Sequence, residues 1–176
     1  SLVNLGRIMP STLLNDALAL DIPLNSKEGF VRQIIGWREF VHHVHELTDG
    51  FATDSAPVKA RPAAGWEGEW PTAKITPNVL ENSYELPPTF WGEKSGMLCL
   101  DTAVSDVVET GYAHHIPRLM VLANIGNLLG IHPRELTDWF WAMFTDAYDW
   151  VVEPNVLAMG TYAVGEVMTT KPYVSG

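Results

Sequence analysis

The segment from Tyr112 to Asn155 constrains the fold most, because its apolar residues predict buried helices and yet it carries charge. Arg118 stands in an apolar run, and Asp146 stands among aromatic residues. An unpaired buried charge is costly, so we expect Arg118 and Asp146 to pair across two packed helices. The pocket beside that pair would be lined by the tryptophans Trp139, Trp141 and Trp150. Such a pocket suits a flat aromatic ligand with a polar edge.

Apolar residues recur at helical spacing along most of the chain and predict an all-α fold. Pro10 starts the first helix, and Asp49-Gly50 ends a second helix that runs from about residue 28 to residue 48, capped by Asn25 or Ser26. The later predicted helices are one capped by Asp101 that ends near Thr110, one from Ala113 to Leu129 with Pro117 in its first turn, and one opened by His132-Pro133 that ends near Tyr148. No repeat and no alternating strand pattern stands out.

The stretch from about residue 51 to residue 90 has a different character. Ala, Pro, Gly and Glu dominate it, Trp66 and Trp70 are embedded in it, and no period is sustained. We interpret it as an irregular insertion within a single domain that spans residues 1–176. It is either a surface loop pinned by its tryptophans or a lid over a pocket.

The bulk composition narrows the class of protein. A hydrophobic fraction of 47% with 18% charged residues is typical of a soluble globular protein, and no apolar run is long enough to span a membrane. We therefore expect no membrane partner and a cytoplasmic location, with the oligomeric state open. The single cysteine, Cys99, excludes an internal disulfide. The net charge of -10 argues against a generally basic nucleic-acid surface.

Several spaced motifs occur in the order known from one protein family. They are Gly36-Trp-Arg-Glu-Phe40, Tyr112-Ala-His-His-Ile-Pro-Arg-Leu-Met, Asn124, Gly130-Ile-His-Pro, Trp139, Asp146-Ala-Tyr-Asp-Trp, Pro154-Asn-Val and Lys171-Pro-Tyr173. With these motifs the chain resembles the multi-helical FAD-binding domain of photolyases and cryptochromes. The match is nearest to the bacterial branch that carries an iron–sulfur cluster, the prokaryotic (6-4) photolyases.

The resemblance implies a fragment of a larger flavoprotein, with the N-terminal antenna domain and a C-terminal cluster-binding segment outside residues 1–176. For the full-length parent it implies a DNA-repair lyase of the deoxyribodipyrimidine photolyase type. Such an enzyme binds UV-damaged DNA and uses blue light to transfer an electron from reduced FAD to a pyrimidine lesion. The alternatives are a cryptochrome-like sensor without repair activity and a fragment that binds no flavin alone. The acidic net charge, and histidine rather than arginine after Val41, favour the sensor.

The resemblance also assigns roles to individual residues. The flavin contacts would be Arg38, Arg118, Asp146 and Tyr148. His114, His115 and Tyr173 would form the catalytic lesion pocket, where a histidine donates a proton, and Trp37 would contact the flipped base of the DNA. Judged from the residues alone, Arg118 and Asp146 are more often a structural ion pair than a ligand site. Adjacent histidines are likewise more often helix surface and core than a site.

Metal and electron-transfer roles follow in the same way. The resemblance makes Trp91, Trp139 and Trp141 an electron relay, although aromatic residues at helical spacing are as often core. Cys99 would ligate a 4Fe–4S cluster if cysteines outside this chain complete it, because a cubane cluster needs four thiolates. Within this chain we expect Cys99 to be a buried free thiol. The run His42-His43-Val-His45-Glu46 could hold a metal, but a solvated helix end is the more common explanation of such a run.

Overall fold

The structure is a computed structural model that describes residues 2–51 and 78–174. The fold is all-α as predicted, and the described residues contain no strand. The α-helices are α1 Pro10–Ala19, α2 Leu24–Val31, α3 Trp37–Thr48, α4 Leu98–Thr110, α5 Asn124–Leu128, α6 Pro133–Met143 and α7 Asp149–Val152. Segments with π-helical geometry are π1 Arg32–Gly36, π2 Pro117–Ala123 and π3 Glu153–Gly160. Short 3₁₀ turns cover Asp49–Phe51 and Pro88–Trp91.

The second predicted helix is continuous through α2, π1 and α3. It begins at Leu24 rather than near residue 28, because the extended Pro23 (φ -53°, ψ 142°) occupies the N-cap position. The prediction that Asn25 or Ser26 caps it is therefore wrong, since both lie inside the first turn. The helix ends as predicted at Asp49 and Gly50, which have left-handed φ angles of 50° and 64°.

Two features favour glycine at position 50, at the end of this helix. Its φ of +64° is readily adopted by glycine and by few other residues. In addition, a Cβ atom at position 50 would lie 2.1 Å from Oε2 of Glu153. The turn after α3 is therefore built around a close approach between the backbone and a carboxylate.

The helix that follows the insertion starts earlier than the sequence indicates. Met97 precedes the first turn of α4, so Asp101 is not its cap. The Asp101 carboxylate accepts hydrogen bonds from the Ser95 hydroxyl at 2.7 Å and the Ser95 backbone N–H at 2.9 Å. These bonds lower the pKa of Asp101 and fix the loop that leads into the helix.

The helix opened by His132-Pro133 is also shorter than predicted. It starts as expected, with the His132 ring accepting a hydrogen bond from the Arg134 backbone N–H at 3.2 Å. It stops at Met143 rather than near Tyr148, because Phe144 is extended (φ -104°, ψ 129°). After a short turn, α7 and π3 continue to Gly160.

The main core is organised around Trp139 of α6, which is 2% exposed. Its indole N–H donates to the Phe90 carbonyl at 2.9 Å. Its ring meets Phe90, Phe140 and Phe144 edge-on, with centroid distances of 5.1, 5.3 and 5.9 Å. Such edge-to-face pairs stabilise a core beyond the area they bury. A smaller cluster around Leu157 joins α3 to π3.

Part of the predicted insertion lies in the described ranges. Tyr84 donates its backbone N–H to the Gly130 carbonyl at 2.9 Å and accepts from the His132 N–H at 2.8 Å. These bonds attach the end of the insertion to the corner between α5 and α6. Trp66 and Trp70 lie outside the described residues. Whether the insertion is a pinned loop or a lid therefore stays a prediction.

Within the described ranges, no helix has both the length and the apolar character needed to cross a membrane.

Candidate functional site

A cavity of about 240 Å³ lies between α3, π2 and the chain that runs from Asp146 to Met159. Aromatic rings and aliphatic side chains form most of its wall. The guanidinium groups of Arg38 and Arg118 and the carboxylate of Asp146 supply its charge. The cavity therefore combines an apolar slot with fixed charges, which suits a flat ligand that carries polar groups.

Arg118 is held by four different contacts. Its NH1 atom is 2.9 Å from Oδ1 of Asp146, and its Nε–H donates to the Ala113 carbonyl at 2.7 Å. The guanidinium carbon lies 4.2 Å from the ring centroid of Phe144 and 5.1 Å from that of Tyr112. Burial lowers the pKa of Arg118, but a guanidinium stays charged in proteins. Arg118 is thus a preformed cation in the cavity wall.

The predicted pairing of Asp146 with Arg118 is confirmed. Asp146 lies in a turn, however, and not in the helix where it was expected. It is 3% exposed and lies in the turn between α6 and α7. Because α6 stops at Met143, the chain turns there and brings the Asp146 carboxylate towards π2. The early end of α6 therefore creates the charged end of the cavity. That the pair binds a ligand stays a prediction.

Arg38 and Trp150 form a second part of the wall. The Arg38 guanidinium carbon lies 4.9 Å from the Trp150 ring centroid, and its NH1 donates to Oδ1 of Asn4 at 2.5 Å. The His42 ring meets Trp150 edge-on at 5.8 Å. Burial lowers the pKa of Arg38. A second cation is therefore fixed against an aromatic face at the cavity.

The π-helical segments place several of these side chains. Arg118 lies in π2, Asn155 lies in π3, and Trp37 directly follows π1. Pro117 and Pro154 stand at the starts of π2 and π3, and proline removes a backbone donor and crowds the preceding turn. Wider π turns accommodate such crowding and are frequent at functional sites.

The structure brings five of the predicted site residues together. Trp37, Arg38, His115, Arg118 and Asp146 all line the cavity. Their roles in binding a flavin, DNA or a lesion stay predictions.

The remaining predicted contacts lie away from the cavity lining. Tyr148 is 45% exposed and Tyr173 is 38% exposed. The His114 ring packs edge-on against Tyr112 with a centroid distance of 5.6 Å. The adjacent histidines thus divide, because His115 lines the cavity whereas His114 packs against Tyr112.

The expected ring of tryptophans around the pocket is wrong for two of its three members. Trp150 lines the cavity, whereas Trp139 is buried in the core and Trp141 is 58% exposed beside a separate cavity. Residues two positions apart on a helix point about 200° apart, so Trp139 and Trp141 cannot share a face. Trp91 is 60% exposed. An electron relay through Trp91, Trp139 and Trp141 stays a prediction.

Cys99 is exposed, so the expectation of a buried thiol is wrong. Because α4 begins at Leu98, Leu100 faces the core and Cys99 faces solvent. Its role as a cluster ligand stays a prediction. Among residues 2–51 and 78–174, no group of three or more His, Cys, Asp or Glu side chains could hold a metal ion.

An ionic network behind the cavity ties α3, α6 and π3 together. Glu153 is its centre, with Oε2 2.9 Å from Nδ1 of His45 and Oε1 3.8 Å from NH1 of Arg134. Arg134 also donates to the Phe51 carbonyl and so holds the turn after α3. The Glu153 side chain is 14% exposed, and burial raises its pKa against the opposing effects of His45 and Arg134.

The raised pKa of Glu153 predicts a specific pH dependence. The folded chain binds this proton more tightly than the unfolded chain does, so the contribution to stability is full below the ordinary glutamate pKa of about 4.3. It is lost as the pH rises through the raised folded value. We expect Glu153→Gln to remove this loss, so the difference in melting temperature between variant and wild type should change across that window. Thermal unfolding followed by circular dichroism from about pH 4 to pH 7 measures it.

Glu93→Gln is the matched control, because Glu93 is exposed. It should leave the pH dependence of the melting temperature unchanged. Parallel wild-type and Glu153→Gln curves would contradict the assignment to Glu153.

Sequence reasoning missed three residues with polar side chains in the cavity wall, Asn4, Tyr112 and Asn155. Tyr112 and Asn155 both lie inside the motifs quoted above. Asn155 is a polar residue on a helical face that it shares with Val151 and Val156, and all three line the cavity. That pattern was an available signal. Asn4 gave none, because it lies in a turn before α1 that no helical period describes.

Comparison with known proteins adds an independent finding. No protein-family model matches this sequence. The chain is 37% identical over 153 residues to a (6-4) photolyase of Agrobacterium fabrum, a match that covers 87% of this chain and 26% of that protein. It is 41% identical over 56 residues to an uncharacterised protein of Acanthamoeba polyphaga mimivirus, which covers 32% of this chain and 46% of that protein. The chain thus spans about a quarter of the length of the photolyase that it matches.

Proposed function

We propose that the chain belongs to a photolyase-related protein and forms the part of an FAD site that surrounds the flavin ring. The similarity to a (6-4) photolyase supports this proposal. One observation carries the proposal: the ion pair between the half-buried Arg118 and the buried Asp146 lies in the wall of a cavity that aromatic rings also line. The isoalloxazine ring of FAD is flat and apolar on its faces, with carbonyl and N–H groups along one edge. Its chemistry therefore matches that of the cavity.

The size of the cavity supports the same proposal. A pocket for a whole drug-sized ligand usually measures about 300–1,000 Å³. This cavity, at about 240 Å³, fits the ring of a flavin better than a complete FAD molecule. The rest of the cofactor would need walls from other parts of a larger protein. This agrees with a chain that spans 26% of its photolyase relative.

The residues of the wall would share the work of binding. In this proposal Asp146 would accept a hydrogen bond from a ring N–H, while Arg118 and Arg38 would favour a ligand that carries negative charge. Trp150 offers an aromatic face beside the slot. Bound FAD would supply light absorption and one-electron chemistry, and the protein supplies position and electrostatics. Because these groups are already fixed by each other, the site needs little reorganisation to bind.

For the whole protein we propose light-driven electron transfer to a UV pyrimidine lesion in DNA. His115 and Trp37 are both exposed and line the cavity, so they could contact a base flipped out of the duplex. His115 would then be the proton donor in preference to His114, which lies off the lining. The net charge of -10 argues against a generally basic DNA-binding surface on this chain.

The flavin site is tested by the visible absorption spectrum of the purified chain after incubation with FAD and gel filtration. We expect a flavin band that stays with the protein. Arg38→Gln removes a cation from the wall and should weaken FAD binding roughly tenfold, because the bonds of a charged donor are the stronger ones.

Arg32→Gln is the matched control on the same helix. Arg32 is 74% exposed and pairs with Glu28 at the surface, so its loss should change FAD affinity by less than about twofold. A wild-type chain that stays colourless would overturn the proposal for this chain and leave a fragment that binds no flavin alone.

A blue-light sensor without repair activity is the second candidate, and the acidic net charge favours it. A lesion-containing oligonucleotide separates the two functions once the chain has bound FAD. Loss of the lesion under blue light supports a photolyase. Bleaching of the flavin band with the lesion intact supports the sensor.

A further inference from the structure

Trp37 and Asn155 meet at the cavity from two different helices. The indole Nε1–H of Trp37 donates to Oδ1 of Asn155 at 3.2 Å. Trp37 is the first residue of α3, and Asn155 lies in π3. Both side chains line the cavity. The contact therefore joins α3 to π3 in the cavity wall.

The neighbours of Asn155 determine which way its amide points. An indole N–H can only donate and a backbone carbonyl can only accept. The Nδ2 group of Asn155 donates to the Val151 carbonyl at 2.7 Å, which leaves Oδ1 to accept from Trp37. The amide is thus anchored on its own helix and presents one acceptor to the indole.

Trp37 needs such an anchor because it is not buried. It is 36% exposed, and its ring contact with Phe40 is tilted, at a centroid distance of 5.6 Å. A partly exposed side chain without a directional partner exchanges among its staggered rotamers. Since the indole forms part of the cavity wall, each rotamer would give the opening a different shape.

We propose that Asn155 is a positioning residue, which fixes the plane of the Trp37 indole and so shapes the opening for a planar heteroaromatic ring. The inference rests on the proposed flavin site. It adds Asn155, a residue to which the proposed function assigns no direct contact with the ligand. It acts through Trp37, so its effect on a ligand depends on the indole N–H.

The indole N–H signals in a nitrogen–proton correlation spectrum give a test that needs no ligand. The chain has seven tryptophans, and the signal missing from Trp37→Phe identifies Trp37. We expect Asn155→Leu to shift that signal and to speed its exchange with solvent roughly 3- to 10-fold, the effect of losing one hydrogen bond. Asn127→Leu is the matched control, because Asn127 donates to the Gly160 carbonyl at 2.8 Å and lies off the cavity. It should leave the Trp37 signal in place.

FAD affinity of the same variants provides the second readout. Asn155→Leu and Trp37→Phe should each weaken binding roughly 3- to 10-fold, and the double variant should be no weaker than Trp37→Phe alone. An unchanged Trp37 signal in Asn155→Leu overturns the proposal. So does an Asn155→Leu substitution that weakens FAD binding as much in the Trp37→Phe variant as it does in the wild type. If the wild-type chain binds no FAD, the proposed function fails, and the indole signal alone decides the role of Asn155.

Discussion

Asp146→Ala should destabilise the chain by about 3–5 kcal/mol and abolish FAD retention, because it leaves the Arg118 guanidinium in the interior without its counter-charge. The two charged atoms are 2.9 Å apart, and the side chains of Arg118 and Asp146 are 21% and 4% exposed. Removing one member of such a pair costs more than the pair itself contributes. Urea unfolding followed by circular dichroism at neutral pH measures the loss.

Two further variants separate the lost charge from the lost side chain. Asp106 is an exposed acid on α4, so Asp106→Ala should change stability by less than about 0.5 kcal/mol. The double variant Asp146→Ala/Arg118→Met removes both charges and should recover part of the stability, although not the FAD site. If Asp146→Ala is as stable as Asp106→Ala, Arg118 does not depend on Asp146.

Trp139→Ala should cost about 3–5 kcal/mol, the range for deletion of a large buried aromatic side chain. The residue is 2% exposed and contacts three aromatic rings. The substitution also leaves the Phe90 carbonyl without the indole donor that it accepts from. Chemical denaturation of the wild type and the variant gives the difference in unfolding free energy.

Trp141→Ala provides the same chemical change two positions along the helix. Trp141 is 58% exposed, so its loss should stay within about 0.5 kcal/mol. Similar losses for the two variants would mean that Trp139 does not hold the core together. The stability result is independent of any part that Trp139 takes in electron transfer.

The sequence predicts best where physical chemistry offers few solutions. An arginine and an aspartate in apolar surroundings need each other, and the Arg118–Asp146 pair follows from that requirement. The start of α6 follows in the same way, because Pro133 fits the first helical position. The left-handed turn after α3 follows from Asp49-Gly50. In each case the local residues alone determine the outcome.

The end of α6 could not be predicted, because no local signal marks it. Phe144 leaves the helix although neither glycine nor proline is nearby. Its extended conformation places its ring parallel to Phe140 at 5.0 Å and beneath the Arg118 guanidinium. Of these contacts, the one with Arg118 joins residues distant in sequence, so local residues alone do not mark the end of the helix or the position of Asp146 in the turn.

The facing of side chains was predicted poorly for a related reason. A period of 3.6 residues describes an α-helix, but π1, π2 and π3 each interrupt that period next to the cavity. Asn155 and Arg118 owe their positions to these interruptions. A regular helical projection consequently finds the core and misses much of the cavity wall.

The close approach of Glu153 to Gly50 links two positions that are far apart along the chain. A side chain at position 50 would occupy the space of the Glu153 carboxylate, which His45 and Arg134 hold in place. The residue at position 50 is thus selected by an ionic network as well as by its own backbone angle. The residues at positions 50 and 153 are therefore coupled, and a substitution at either one changes what the other can be.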